Sequence, residues 1–305
     1  MITDAHKSRK RDTTLIFGGS GLLGIHCIET LSSTFNIIPT YNQTRITNDK
    51  LEFFSFPTTM ENIVKILLKH KPQYIINTIG LVNVNQCEIK RDLAYDLNVK
   101  FIQFLVQALE NTNLNNTQLI HISTASVYGR HECQNTPWAE DDKKNPISIY
   151  SQTKLMGEKE VMKYKGPITI LRTDVYGINP YSNNSLLWWA CNELSNKKII
   201  QGWDNIFFSP VSASMLSRII AVIMKEELNG IYNVATRDYC SKYHFLSELA
   251  DLIGRTNMVE RVMLDQQEDA IRPEYTVLNN QRLSSIIDVD FSWKDDLASY
   301  IKDLN

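Results

Sequence analysis

A glycine-rich segment near the N-terminus limits what this chain can fold into more than any other feature. The run Thr14-Leu-Ile-Phe-Gly-Gly-Ser-Gly-Leu-Leu-Gly24 joins an apolar stretch to a segment with helical spacing. A strand that turns sharply into a helix needs residues without a Cβ at the turn, and its backbone can then approach a ligand closely. Free N–H groups of the first helical turn favour phosphate. The pattern predicts a pyrophosphate site built by Gly18, Ser20, Gly21, Leu22, Leu23 and Gly24.

Short apolar runs alternate with helical periodicity through the first half of the chain. The spacing predicts strands at 15–17, 36–41, 51–56, 74–78, 118–123 and 168–172, and helices at 22–31, 60–69, 93–110 and 151–163. Such alternation favours right-handed crossovers and a parallel sheet that is covered on both faces. We therefore predict an α/β fold, a Rossmann-type doubly wound parallel sheet with a smaller C-terminal substrate-binding lobe.

The 305 residues are enough for a cofactor domain and an additional lobe. We predict a flexible leader at 1–12, an NAD(P)-binding Rossmann domain at 13–177 and a mainly substrate-binding lobe at 178–305. Segments around 205–236 are expected to return to the Rossmann domain. Ligands of open α/β sheets bind at the carboxyl ends of the strands, so a lobe over that edge would form a cleft for a second substrate.

Composition argues against several other classes of protein. The net charge of −2 provides no basic field for nucleic acid or an anionic membrane. No apolar run approaches the ~20 residues of a membrane span, and the N-terminus lacks the apolar core of a signal peptide. The five cysteines are widely spaced and indicate reduced thiols. We expect a cytoplasmic protein with a small-molecule substrate and without a metal, nucleic-acid or membrane partner.

The end of the second predicted strand bears on the choice of cofactor. An acid at this point would bond the ribose 2′-hydroxyl of NAD and repel the 2′-phosphate of NADP. No Asp or Glu lies between Glu29 and Asp49, whereas Asn42 and Arg45 follow the strand. Unless Arg45 is only a solvated loop residue, the pattern predicts that NADP(H) is preferred over NAD(H).

A tyrosine and a lysine lie four residues apart in the run Tyr150-Ser-Gln-Thr-Lys154, which places both on one helical face. A neighbouring ammonium group stabilises a phenolate and would lower the tyrosine pKa from its usual ~10. The pair would then supply a proton to a carbonyl group that receives hydride. Ser123 or Thr124, at the end of the fifth strand, could bring a hydroxyl group to the same oxygen. Lys154 could also bind the nicotinamide ribose.

These motifs together resemble the extended branch of the short-chain dehydrogenase/reductase family, and more specifically the dTDP-4-dehydrorhamnose reductases and their relatives. The resemblance covers nearly the whole chain from Thr13 onward. It is carried by residues 77–80, 83–88, 93–99, 121–129, 150–158 and 271–278.

The resemblance implies a role for each matching position. The catalytic residues would be Thr124, Tyr150 and Lys154. The cofactor would also contact Thr78, Ile79, Gly80 and Asn98. The substrate would contact Asn83, Thr124, Ser126, Trp188, Pro210 and Arg272. It further implies NADPH-dependent reduction of a nucleotide-activated 4-keto-6-deoxy sugar for a surface polysaccharide, by a homodimer.

Two departures from the family pattern bear on the substrate. Ala125 follows the threonine where the family usually has Asp, and Asp174 stands where a Trp usually precedes Val-Tyr-Gly. These departures concern the identity of the sugar more than the class of reaction. A nucleotide-sugar epimerase of the same family and a non-catalytic NADP-binding regulatory subunit are the alternatives, whereas Ala125-Ser126 argues against a dehydratase.

Overall fold

The computed structural model describes residues 11–41, 54–55, 59–130, 136–265 and 271–304 of the chain. Its strands are β1 (Thr13–Phe17), β2 (Asn36–Tyr41), β3 (Phe54–Ser55), β4 (Tyr74–Asn77), β5 (Gln118–Thr124), β6 (Ile168–Tyr176), β7 (Ile200–Trp203), β8 (Phe207–Phe208), β9 (Pro210–Ser212), β10 (Gly230–Asn233), β11 (Cys240–Ser241), β12 (Val259–Val262) and β13 (Tyr275–Thr276). Its helices are α1 (Leu22–Leu31), α2 (Met60–His70), α3 (Val84–Ile89), α4 (Arg91–Tyr95), α5 (Phe101–Asn111), α6 (Ile149–Val161), α7 (Leu186–Ser195), α8 (Ala213–Lys225), α9 (Lys242–Leu252), α10 (Gln281–Ser284) and α11 (Trp293–Leu304).

The main sheet has the strand order β10-β6-β5-β4-β1-β2-β3, and all of its pairings are parallel. The long strand β6 pairs with β10 along its first half and with β9 further on, from Asp174 to Tyr176. This topology confirms the predicted Rossmann-type parallel sheet. The segment from β9 to β10 thus returns from the C-terminal part of the chain to the main sheet.

Apolar clusters cover both faces of this sheet. Side chains alternate along β1: Ile16 packs in the cluster that includes α1 and α8, whereas Leu15 and Phe17 pack against α2 and α5. This alternation follows from the two-residue period of a strand. A fully buried Leu or Phe side chain contributes about 1.5–3 kcal/mol to folding stability. Because both faces of the sheet carry such side chains, helices must cover both faces, which makes the sheet doubly wound.

The C-terminal lobe contains two small sheets. One has the order β11-β8-β13, and the other pairs β7 with β12. Helices α7, α9 and α11 supply its apolar cluster, which includes Leu187, Phe245 and Leu297. Strand β8 is followed almost at once by β9, so the chain passes directly from the lobe into the main sheet. This crossing places the lobe at the edge of the sheet where β5 and β6 end.

The predicted helix at 93–110 is confirmed as a helical segment, with one local difference. A π-helical turn at Asp96–Lys100 lies between α4 and α5 and changes the hydrogen-bond pattern there. Helix α3 precedes it and was not expected from the spacing. Of the third predicted strand, Phe54–Ser55 is a strand and the rest lies outside the described residues. In the part of the chain that is described, no helix combines the length and hydropathy needed to cross a membrane.

Candidate active site

The glycine turn between β1 and α1 is closely packed against its own helix. Gly18 has a φ of +85°, a conformation that favours glycine, and the Gly21 N–H donates to the Gly18 carbonyl at 2.8 Å. A Cβ atom at Gly24 would lie 2.2 Å from that same carbonyl oxygen. The Thr78 hydroxyl, at the end of β4, donates to the Phe17 carbonyl at 2.9 Å. The turn therefore needs glycine at Gly18 and Gly24. The hydrogen bond from Thr78 stabilises the turn from the neighbouring strand β4.

Helix α1 begins differently from other helices of this protein. Side-chain oxygens of Thr59, Asn83, Ser148, Ser185, Ser212 and Ser241 accept backbone N–H groups at the starts of α2, α3, α6, α7, α8 and α9. Gly21 caps α1 without any side-chain hydrogen bond. The first N–H groups of α1 are thus available to an external acceptor, and with the helix dipole they suit a pyrophosphate.

The predicted pyrophosphate residues lie together in this turn. Four of them are partly exposed: Gly18, Ser20, Gly21 and Leu22. The Leu23 side chain and Gly24 are buried, so only the backbone of these two residues could face a ligand. Asn179, which follows β6, donates to the Ser20 carbonyl at 3.0 Å and ties the turn to the C-terminal part of the chain. The residues present fit a dinucleotide. Asn42 and Arg45, predicted to choose between NADP and NAD, lie outside the described residues.

The loop after β4 is held in place by Asn98, which lies in the π-helical turn and is 1% exposed. Its side chain accepts from the Leu81 N–H at 2.9 Å and donates to the Leu81 carbonyl and to Thr153 on α6. A Cβ atom on Gly80 would lie 2.9 Å from the Asn98 side-chain oxygen. Asn98 therefore positions residues 78–81 against α6. π-Helical turns are frequent at functional sites.

The predicted hydroxyl pair forms where β5 ends and α6 begins. Thr124 is the last residue of β5; its hydroxyl oxygen accepts the Ser126 N–H at 3.2 Å, and its side chain lies close enough to the Tyr150 hydroxyl to act on the pKa of that group. The start of α6 is fixed by a capping box between Ser148 and Ser151. Glu88 Oε1 also accepts the Ile149 N–H at 2.8 Å. These bonds fix the position of Tyr150 relative to Thr124.

The expected lowering of the Tyr150 pKa by Lys154 is wrong for this structure. Burial of the tyrosine hydroxyl raises its pKa to about 12; the Thr124 hydrogen bond acts in the lowering direction, and the negative charge of Asp174 adds to the rise. Lys154 is 4% exposed, and its ammonium group donates to the Ile122 carbonyl at 2.6 Å. Tyr150 is thus held as a neutral phenol, which is the form that donates a proton.

A buried network lies beneath Lys154. Burial lowers the pKa of Lys154 to about 8, while the nearby carboxylate of Glu158 acts to raise it. Glu158 accepts from Arg172 on β6 and from the Ser123 hydroxyl at 2.5 Å. Ser123 is therefore engaged with Glu158, and Thr124 is the hydroxyl beside Tyr150. The roles of Glu158 and Arg172 were not predicted; the only sequence signal was that Glu158 follows Lys154 by four residues.

The predicted substrate residues are more widely distributed. Asn83 caps α3 by accepting the Gln86 N–H at 2.9 Å, and Ser126 lies in the short turn after Thr124. Pro210 on β9 pairs in register with Asp174. Trp188 lies in α7 of the lobe, and no described contact joins it to Tyr150. The structure therefore brings Ser126 and Pro210 to the edge that holds Thr124 and Tyr150, whereas a substrate role stays a prediction for each of these residues and for Trp188.

Arg272 links the lobe to the main sheet. Its Nη2 donates to the Asn85 side chain on α3 at 2.8 Å, and its guanidinium group lies 5.4 Å from the ring centre of Trp203. Arg272 also acts electrostatically on Lys242, at the start of α9. Arg272 thus brings a positive charge to the part of the lobe that contacts α3. Among the described residues, no group of three or more His, Cys, Asp or Glu side chains could hold a metal ion.

The family of this chain follows from comparison of its sequence and structure with known proteins. Residues 12–305 match the family model described as RmlD substrate binding domain. The chain belongs to this family. It is an oxidoreductase of the extended short-chain dehydrogenase/reductase type. Within the family, the chain is 27% identical over 220 residues to dTDP-4-dehydrorhamnose reductase of Aggregatibacter actinomycetemcomitans, covering 70% of this chain and 73% of that protein.

Solved structures of the family have the same fold. A dTDP-4-dehydrorhamnose reductase of Clostridium acetobutylicum is 26% identical, with a TM-score of 0.79 over 96% of this chain and 99% of that one. The dTDP-4-dehydrorhamnose reductase of Bacillus anthracis, solved in complex with NADP, is 22% identical, with a TM-score of 0.83 over the same shares. The arrangement of sheet and lobe is therefore that of the reductases of this family.

Proposed function

We propose that this protein is an NADP(H)-dependent reductase of a nucleotide-activated 4-keto-6-deoxy sugar. The observation that carries the proposal is that Thr124 lies beside Tyr150, near the buried Lys154, at the edge of the sheet that also carries the glycine turn. A phenol, an orienting hydroxyl and an ammonium group at one point are the groups that carbonyl reduction requires.

In this mechanism the protein's own groups bind the carbonyl oxygen and protonate it. When bound, the nicotinamide supplies the hydride. Thr124 orients the substrate oxygen and Tyr150 gives that oxygen its proton. Lys154 would bind the hydroxyl groups of the nicotinamide ribose. Glu158 favours the ammonium form of Lys154 through its negative charge.

The choice of a reductase over an epimerase rests on the relatives that are named dTDP-4-dehydrorhamnose reductase, because both enzymes would use the same three residues. Burial raises the pKa of Tyr150 to about 12, so its hydroxyl group is protonated at neutral pH, as reduction requires of a proton donor. The complete set of Thr124, Tyr150 and Lys154 also argues against a purely regulatory subunit.

The choice of NADP(H) rests on the sequence after β2. The absence of an acid between Glu29 and Asp49 removes a group that would repel the 2′-phosphate, and Arg45 with Asn42 would bind it. The nucleotide sugar as substrate rests on relatives that are named dTDP-4-dehydrorhamnose reductase. The positive charge of Arg272 would suit a diphosphate.

The experiment that tests the function is oxidation of NADPH, followed at 340 nm, with a panel of 4-keto-6-deoxy sugars linked to dTDP, UDP or GDP. We expect turnover with at least one member, and slower turnover with NADH. Tight NAD that co-purifies with the protein, together with interconversion of C4 epimers and no net oxidation of NADPH, would instead establish an epimerase. No turnover on any member would contradict the proposed reductase.

A further inference from the structure

Asp174 lies beside the proposed catalytic residues, although the mechanism above does not use it. In the paired strands β5 and β6, Thr124 is in register with Thr173, so Asp174 lies one position beyond the catalytic threonine at the same edge of the sheet. Its side chain is partly exposed, and its negative charge acts on Tyr150. A carboxylate is thus placed close to the group that would protonate the substrate.

The small sheet of the lobe surrounds this carboxylate. Thr276 on β13 donates from its hydroxyl group to Asp174 Oδ2 at 2.7 Å. Lys242, directly after β11, acts on Asp174 electrostatically, and its ammonium nitrogen lies 3.2 Å from the ring centre of Phe208 on β8. The lobe therefore supplies a hydrogen-bond donor and a positive charge to the surroundings of Asp174.

Asp174 and Lys242 can each form further hydrogen bonds. Asp174 Oδ1 has no hydrogen-bond partner among the described residues, and no described acceptor or carboxylate lies within bonding distance of Lys242 Nζ. A partly buried charge loses hydration, and this loss is offset only by new hydrogen bonds or an ion pair. Groups that are desolvated but not bonded within the protein indicate a polar ligand.

The charges near Tyr150 bear on how that ligand would lie. Asp174 acts electrostatically on Tyr150, and Lys242 interacts electrostatically with both Asp174 and Arg272. A nucleotide sugar has hydrogen-bond donors on its ring and an anionic diphosphate beyond its anomeric carbon. With the ring at Asp174 and the diphosphate towards Lys242 and Arg272, the charges of ligand and protein are complementary.

We propose that Asp174 determines which sugar is accepted, by receiving a hydrogen bond from a donor group on a ring carbon next to the reacting carbonyl carbon. Lys242 compensates the charge of Asp174, and Thr276 orients its carboxylate. The donor is a hydroxyl or an amino group, which share this chemistry. The inference rests on the proposed function, because it assumes that the reacting carbonyl group lies against Tyr150.

The test measures the affinity of reduced, stable dTDP-6-deoxy sugars for the protein saturated with NADP⁺, by calorimetry. Three sugars are compared, with a hydroxyl group, an amino group or hydrogen at the ring carbon next to C4. We expect the wild-type protein to bind a donor-bearing sugar about tenfold or more tightly than the deoxy sugar, as for a hydrogen bond to a charged group. Asp174→Leu should abolish this preference while the affinity for NADP⁺ is unchanged.

Further variants keep the result interpretable. Asp174→Asn retains the shape and an acceptor but not the charge, so it should keep only part of the preference, and it replaces Asp174→Leu if that variant fails to fold. Thr276→Val should weaken the preference less than Asp174→Leu. The stronger ligand among the hydroxyl and amino sugars identifies the donor. An unchanged preference in both Asp174 variants would overturn the assignment of Asp174.

The result separates this inference from the proposed function. Binding with a preference that depends on Asp174, but without oxidation of NADPH by any 4-keto sugar, would overturn the reductase and leave the role of Asp174 standing. Turnover with equal preferences in wild type and variants would overturn the role of Asp174 alone. No binding of these sugars, together with no turnover of any dTDP, UDP or GDP sugar of the panel, would overturn both.

Discussion

Arg172 forms a two-point ion pair with Glu158: its Nε and Nη2 atoms lie 3.0 and 2.7 Å from the two carboxylate oxygens, and the two side chains are 2% and 0% exposed. The pair joins β6 to α6 directly beneath Lys154. Glu158 also accepts a hydrogen bond from the hydroxyl group of Ser123 on β5. One buried carboxylate therefore connects the two strands that end at the candidate active site with the helix that carries Tyr150 and Lys154.

We predict that Glu158→Gln strongly destabilises the protein. Removing the charge of one partner leaves Arg172 buried without compensation, which typically costs about 3–5 kcal/mol. The free energy of unfolding in urea measures the effect. Glu160→Gln is the matched control, because Glu160 pairs with the exposed Lys163 and such pairs contribute about 1 kcal/mol or less. Equal losses in the two variants would contradict the role assigned to the buried pair.

Lys154 should make stability depend on pH. Its pKa is lowered by burial from 10.5 to about 8, so the unfolded chain binds more protons than the folded protein between these values. Stability must then rise with pH across this window, by roughly 2 kcal/mol between pH 7 and pH 9.5 from this group alone. The stability difference between wild type and Lys154→Met should change by this amount, whereas Lys163→Met should show no such change. A pH-independent difference for Lys154→Met would contradict the lowered pKa.

Gly24→Ala should destabilise the protein more than Gly21→Ala. The added Cβ would lie 2.2 Å from the Gly18 carbonyl oxygen in the first variant and 3.1 Å from it in the second. Such overpacking costs about 1–3 kcal/mol or forces the turn to move. Unfolding in urea without cofactor gives the ranking, and titration with NADPH shows whether Gly24→Ala also weakens binding. The opposite ranking would mean that helix α1 is not packed closely on its turn.

Arg45→Ala tests the choice of cofactor. If Arg45 binds the 2′-phosphate, its removal should weaken NADPH binding about tenfold or more, the usual effect of losing a hydrogen bond to a charged group. NADH lacks that phosphate, so its affinity should change little and serves as the internal control. Fluorescence titration with both nucleotides measures the two affinities. An equal loss for NADH and NADPH would remove Arg45 from the recognition of the 2′-phosphate.

The sequence was sufficient to predict the main sheet and the Thr124–Tyr150 pair. The sheet follows from apolar runs that alternate with helical spacing, and the pair follows from the match of residues 121–129 and 150–158 to the family pattern. Spacing alone left Ser123 and Thr124 as alternatives, and the resemblance favoured Thr124. In the structure the Ser123 hydroxyl is bonded to Glu158, whereas Thr124 lies beside Tyr150.

Features that depend on distant segments were not predictable in the same way. The π-helical turn at Asn98 reflects tertiary packing, since a Cβ atom on Gly157 of α6 would lie 2.4 Å from the Asn98 carbonyl oxygen. Lys242 and Thr276 approach Asp174 through strands of only two residues, which are too short for a periodic pattern. The rise of the Tyr150 pKa depends on burial, which the spacing to Lys154 does not reveal.

The central claim is that Tyr150 protonates the substrate, and single-turnover oxidation of NADPH by Tyr150→Phe tests it most directly. A 4-keto nucleotide sugar that the wild-type protein reduces is mixed with the variant saturated with NADPH, and the first turnover is followed at 340 nm. We predict a rate about 10²–10⁴-fold below that of wild type, with NADPH affinity unchanged, because a general acid contributes a factor of this size. A first turnover as fast as that of wild type would contradict the account.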